Sequence, residues 1–251
     1  MDPSARVRDV ICAAPGDNLD HTFVGRATRG GLMLIVLTGI DGSGKTTAAR
    51  ALVSSARAGD PALAGDPALA GGGKSLLLSN HAGRRHLSLL TDRMNRQLPS
   101  RVSDAIETTI RLFNVLVNHA RASRFDGLVV MDRHLHCQLA LRDANGLPRG
   151  RLLPWLLTKL PAPDLLIHFD VDPAIAHERV TARGTDRETL ADLRAFRDAY
   201  RSLPKLSDAL VVDASGTPEA VHAQVMDLLQ TRRNLASPSR GSNDGAGQRR
   251  N

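Results

Sequence analysis

With 251 residues, 42% of them hydrophobic, the chain can bury one substantial core, so one domain is the default. The net charge of +7 invites a polynucleotide partner, but more than half of that excess lies in residues 232–251 and aromatics are only 3%, which argues against nucleic acid and suits a polyphosphate pocket. No apolar run nears the roughly 20 residues that span a bilayer, no secretory pattern follows Arg6, Arg8 and Asp9, and Cys12 and Cys137 make neither a disulfide framework nor a ligand set, so a cytoplasmic protein is expected.

Residues 1–30 mix charge, Pro and Gly without a period and read as a flexible extension ahead of a folded domain over 31–231. "LMLIVLTG", from Leu32, is a continuous apolar run with the pattern of a strand buried on both faces. A glycine loop and then a helix from Lys45 to about Arg57 follow. Residues 59–73 write a six-residue Gly-Asp-Pro-Ala-Leu-Ala unit twice and close in glycines; Pro61 and Pro67 oppose a helix, so a flexible insertion is expected. "KSLLLSN" reads as a second strand. Val102, Ile106, Ile110, Phe113 and Val117 step by three and four through a long helix.

"GLVVMDR" is a third strand ending in an acid, and Leu135–Leu160 reads as helical, broken at Pro148 and Pro154. "DLLIHFDV" is a fourth strand. Two helices follow, one opening at Pro173 and one over "DRETLADLRAFRDAYRSL". "ALVVDAS" is a fifth strand, then comes a helix from Pro218 to about Arg232, with 232–251 as a disordered basic tail. Short apolar strands alternating with helices predict an α/β fold, a three-layer arrangement with a five-stranded parallel sheet covered on both faces.

Gly39-Ile-Asp-Gly-Ser-Gly44-Lys45-Thr46 fits G-x-x-x-x-G-K-[ST] without a mismatch, between a predicted strand and a predicted helix. In such a P-loop, Gly39, Gly42, Ser43 and Gly44 let backbone N–H groups face phosphate oxygens. The helix N-terminus, with Thr47 in its first turn, adds partial positive charge. Lys45 would bridge the β- and γ-phosphates of ATP, and Thr46 would offer its hydroxyl to Mg²⁺. Asp132, at the carboxyl end of a buried strand, is the candidate second metal residue, with Arg133 beside it as a bidentate hydrogen-bond donor suited to a phosphate. Arg179 and Arg183 lie four apart on one helix face, with Arg187 beyond a glycine. They read as a lid that brings guanidinium groups to a transferring phosphoryl and excludes water.

"GIDGSGKTT", "VVMDRHLHCQLA", "PDLLIHFDVDPAIAHERVTARGTDRE" and "VVDASGTPEAV" fall in the order and spacing of the thymidylate kinase family, which the chain resembles from about Leu34 to Leu229. The resemblance implies a nucleoside-monophosphate-kinase fold, ATP with Mg²⁺ as donor, and often a homodimer. It places Asp41 toward the acceptor's sugar, Phe113 under its base, Gln138 at a base edge, and Ala214 and Ser215 near adenine. His134 and His136 read as polar residues at a helix start, Cys137 as a small buried side chain, and core packing competes with stacking for Phe113.

Three positions depart from the family's usual pattern. Thr38 stands where a Glu usually precedes the loop, "SNHAGRRH" where Arg-Glu-Pro is common, and Val117 where an Arg follows the stacking Phe. A nucleoside kinase needs a carboxylate to deprotonate a neutral hydroxyl. No acid occurs between Asp66 and Asp92, and Arg84 and Arg85 occupy the segment after the second strand. A phosphorylated acceptor, already anionic, fits these residues best, so phosphoryl transfer from ATP to a nucleoside monophosphate is the leading expectation. Phosphorylation of a nucleoside or other small hydroxyl compound, and low-turnover nucleotide binding, remain as alternatives.

Overall fold

The computed structural model describes residues 32–60, 63, 74–80, 100–184 and 188–236. The extension over 1–30, nearly all of the repeat insertion, Arg84, Arg85 and Arg187 lie outside them. Five strands form one parallel sheet in the order β2-β3-β1-β4-β5: β1 Leu32–Gly39, β2 Ser75–Ser79, β3 Gly127–Asp132, β4 Leu165–Asp170 and β5 Leu210–Asp213. Central strands need apolar side chains on both faces, because helices cover both. β1 and β3 are such runs, and alternate residues divide between two layers. Ile35, Leu37, Leu128 and Val130 pack with Ala48, Ala49 and Leu52 of helix α1 (Lys45–Ala58), while Leu34, Val36, Val129 and Met131 pack with Ala122 of α2 (Ser100–Ala122).

The remaining described helices are α3 (Leu135–Ala144), α4 (Leu152–Lys159), α5 (Pro173–Arg183), α6 (Leu190–Arg201) and α7 (Pro218–Ala236), with a short 3₁₀ turn at Pro204–Leu206. Asp172 caps α5 by accepting from Ala174 N at 2.8 Å, and Thr189 with Asp192 forms a capping box on α6. Two helix expectations change. Pro154 does not break a helix: it lies in the first turn of α4, where its missing N–H leaves no intrahelical bond unmade. The last helix runs to Ala236, past the expected boundary at 231, and the Arg232 guanidinium donates to the Asp164 carbonyl. The residues assigned to the tail therefore begin inside the fold.

The long helix α2 corrects the expected core. The stripe read from its spacing faces outward: Val102 is 43% exposed, Phe113 65% and Val117 39%. At about 100° per residue, the buried set of Glu107, Arg111, Val115, Asn118, His119 and Ala122 falls on the opposite side. The inward side of this helix is thus largely polar and its outward side apolar, the reverse of a surface helix packed on a core.

Candidate active site

The carboxyl ends of β1, β3 and β4 converge on the loop Gly39–Gly44. Gly39 has φ 141°, and a Cβ there would meet the Phe169 carbonyl oxygen at 2.5 Å. Gly42 has φ 85°, and a Cβ would fall 2.4 Å from the Ala176 carbonyl oxygen of α5. Only glycine lets the loop pass this close to β4 and to the helix that carries the two arginines. Lys45 is buried; its Nζ donates to the Ile40 carbonyl at 2.5 Å and to Ser43 Oγ at 3.1 Å, folding the side chain back over the loop. Burial, and then the nearby Arg133, push its pKa below the ordinary lysine value.

Thr46, at the second position of α1, donates from Oγ1 to Asp132 Oδ2 at 2.6 Å, so the two expected metal residues meet. The other carboxylate oxygen, Asp132 Oδ1, is buried without a hydrogen-bond partner. A bare carboxylate oxygen in the interior is costly unless a cation or donor reaches it. Among the described residues no cluster of three or more His, Cys, Asp or Glu could hold a metal by itself. That pattern fits Mg²⁺, which binds through one or two protein oxygens and completes its shell with phosphate oxygens and water.

Arg133 ion-pairs with Asp41 of the loop, so the residue expected to face the acceptor is held by the arginine next to the expected metal residue Asp132. Arg133 is the one non-glycine residue with positive φ among those described, at 72°. Such a conformation costs about 1–3 kcal/mol and persists only where neighbours enforce it. The backbone N–H of Arg133 donates to the Leu37 carbonyl at 3.1 Å, and its own carbonyl accepts from Asn80 Nδ2 at 2.6 Å.

Gln138 is fully buried on α3. Its Oε1 accepts from Arg111 Nε at 2.9 Å, and its Nε2 reaches Thr108 Oγ1 at 3.0 Å and Asp104 Oδ1 at 3.2 Å. All three partners are on the inward side of α2. Phe113 is two residues from Arg111 and so points about 160° away. The structure therefore sets Phe113 and Gln138 on different sides of α2, and Phe113, 65% exposed, does not pack in the core. Arg111 and Asn80 were missed by sequence reasoning. A charged residue inside the apolar run "TTIRLFNVLV" was the available signal for the first, since arginine is almost never fully buried unless paired.

The arginines of α5 part company. Arg179 donates to the carbonyls of Ala214 at 2.7 Å, Ser215 at 2.9 Å and Gly216 at 2.8 Å, with a long contact of 3.5 Å to the Gly42 carbonyl. Its guanidinium chiefly braces the loop after β5 and meets the phosphate loop only through the long contact to Gly42. Arg183 is exposed at the end of α5, and Thr47 is exposed on α1.

His134 and His136 lie at the start of α3, His134 as its N-cap, and both are buried. His134 Nε2 lies 2.9 Å from His119 Nε2 of α2, and its Nδ1 lies 3.3 Å from His136 Nδ1, all three rings being buried. Burial lowers His134 well below its ordinary pKa and His119 to about 4, so these rings are neutral near pH 7 and add no charge to an anion site. Thr38, standing where the family's Glu is usual, is fully buried and pairs with His168 Nδ1 of β4 at 3.2 Å. Cys137 is buried, as expected. A separate cavity of about 590 Å³, lined by Leu32, Phe125, Asp126, Leu160 and Asp164 and reached by His119, opens at the amino-terminal edge of the sheet.

The sequence model described as Thymidylate kinase matches residues 115–225. The Thymidylate kinase of Xylella fastidiosa (strain 9a5c) is 32% identical over 209 residues, covering 80% of this chain and 93% of the relative. The Thymidylate kinase of Xanthomonas oryzae pv. oryzae (strain PXO99A) is 32% identical over 221 residues, covering 86% of this chain and 89% of its own. With identity of that level along nearly the whole of both relatives, and a five-stranded parallel sheet that carries an intact phosphate loop, the chain belongs to the thymidylate kinase family.

Proposed function

We propose that the protein transfers the γ-phosphoryl group of ATP to thymidine monophosphate. An oxygen of the acceptor's phosphate attacks the γ-phosphorus, the bond from that phosphorus to the bridging oxygen breaks, and ADP leaves. The observation that carries this reading is the state of the carboxylates. A hydroxyl acceptor would need a base, but Asp41 is ion-paired with Arg133, and Asp132 accepts from Thr46 while its other oxygen is buried without a hydrogen-bond partner, the place a cation would fill. A phosphate acceptor needs no base and is drawn by the arginine already present.

In this reading Lys45 leaves the Ile40 carbonyl for the β- and γ-phosphates, with Gly39, Gly42, Ser43, Gly44 and Thr47 surrounding them. Thr46 and Asp132 would hold Mg²⁺, which would neutralise charge on the phosphates. Asp41 and Arg133 position the acceptor and Gln138 lies at the base pocket. Arg84 and Arg85 belong to the acceptor side, Ser215 to the adenine side, and Arg183 supplies a further cation to the transferring group. The outward stripe of α2, Val102, Ile110, Phe113 and Val117, is the surface we assign to homodimer formation, because scattered apolar side chains are ordinary on a surface but a continuous stripe marks an interface.

ADP release measured against a panel of nucleosides and their monophosphates tests the acceptor. The reading requires stimulation by thymidine monophosphate. Stimulation by thymidine but not by its monophosphate would overturn it, as would ATP binding with no acceptor-dependent release.

A further inference from the structure

A chain of buried side-chain amides runs from α2 to the catalytic edge of the sheet. Asn118 of α2 donates from Nδ2 to Asn80 Oδ1 at 3.0 Å, with a longer approach of 3.4 Å to the Ser79 carbonyl. Asn80, fully buried just past β2, donates from Nδ2 to the carbonyl of Arg133 at 2.6 Å, and its backbone N–H donates to the carbonyl of Asp132 at 3.0 Å. The relay runs in one direction: the α2 amide fixes Asn80, and Asn80 fixes the peptide after Arg133. That peptide is the one that must be held, because Arg133 has φ 72° and extended backbone would continue the strand. With the carbonyl pinned by Asn80 and the N–H pinned by Leu37, the side chain leaves β3 toward Asp41 and the phosphate loop.

We propose that Asn80 and Asn118 are positioning residues for the reaction: their amide relay holds Arg133 in its left-handed conformation and thereby sets the Arg133–Asp41 pair against the acceptor. This rests on the reading of the site as a monophosphate kinase only for the word acceptor; the relay and the ion pair stand without it. Asn80 acts through its N–H₂ donor, so a carboxylate in its place cannot substitute. An Asp there would set an acceptor against the Arg133 carbonyl, with no proton between them.

The test combines activity with a direct view of the guanidinium. In Asn80→Ala and Asn80→Asp, kcat/KM for thymidine monophosphate falls roughly tenfold or more, because small displacements of a positioning group are costly, while KM for ATP stays within about twofold of wild type. Asn118→Ala, one step further from Arg133 and the milder variant should the Asn80 changes prevent folding, loses about threefold. In an Arg133→Ala background, adding Asn80→Ala produces no further loss of monophosphate affinity measured by calorimetry. Independently of any substrate, the Arg133 Nε–H resonance of the ion-paired wild type moves to the solvent-averaged position in Asn80→Ala. An unchanged resonance in a folded Asn80→Ala protein overturns the proposal, and so does an equal loss with and without Arg133. Failure of the wild type to use thymidine monophosphate would instead count against the functional reading, and the resonance would still decide the relay.

Discussion

At Lys45 the geometry sets two demands against each other. Burial lowers the pKa of the ammonium, yet the role proposed for it is to bring charge to the transferring phosphoryl, and in this structure it is bonded to its own loop. Polyphosphate would replace the Ile40 carbonyl with a stronger acceptor. Lys45→Ala should therefore lower kcat by about 100-fold or more in a steady-state assay, since it removes a preorganised donor at developing charge. The fold itself should survive, because the lysine makes only bonds within its loop; an unchanged melting temperature in thermal unfolding checks this. Loss of activity with loss of the fold would show instead that the residue is structural.

Helix α5 carries two arginines that the sequence treats alike and the structure does not. If Arg179 braces the loop at residues 214–216, Arg179→Ala should raise KM for ATP by roughly tenfold while leaving kcat within a few-fold. A loss of about 100-fold in kcat would place its guanidinium on the phosphoryl group after all. On α2, Phe113→Glu places a charge in the outward stripe and should convert a dimer to a monomer in sedimentation velocity, with intact secondary structure by circular dichroism. A wild-type monomer would refute the interface.

The strands were legible because a parallel sheet covered on both sides demands unbroken apolar runs, and "LMLIVLTG" and "GLVVMD" have little else to do. The glycine loop and the meeting of Thr46 with Asp132 were legible because a strand-loop-helix turn of this kind fixes its glycines and its hydroxyl at set spacings. The inner face of α2 was not. Periodicity identifies an apolar stripe but not which side of the helix it faces, and here the apolar side looks out while Arg111, Asn118 and His119 look in. The link from Asn80 to Arg133 joins residues 53 positions apart through a carbonyl, and no side-chain pattern encodes that.

Across the whole molecule, buried neutral histidines link stability to pH. His168, buried between β4 and α6 beside Tyr200, is lowered from 6.5 to about 4, chiefly by burial. Its folded pKa lies below its unfolded one, so between these values the unfolded chain binds more protons and stability rises with pH. The denaturation midpoint should fall as pH drops from about 6.5 to about 4, with His119 contributing over the same window. Urea titrations across that range check the slope, and His168→Gln should flatten it; a midpoint independent of pH would contradict the neutral burial of these rings.

The central claim is that a phosphate loop braced against Asp132, with Arg133 locked to Asp41, phosphorylates a phosphate and not a hydroxyl. Incubation with γ-labelled ATP, Mg²⁺ and either thymidine monophosphate or thymidine, with the labelled products separated, tests it most directly. Labelled thymidine diphosphate is expected from the monophosphate, none from thymidine, and the product should be lost in Lys45→Ala. Labelled thymidine monophosphate formed from thymidine, with no diphosphate from the monophosphate, would contradict it.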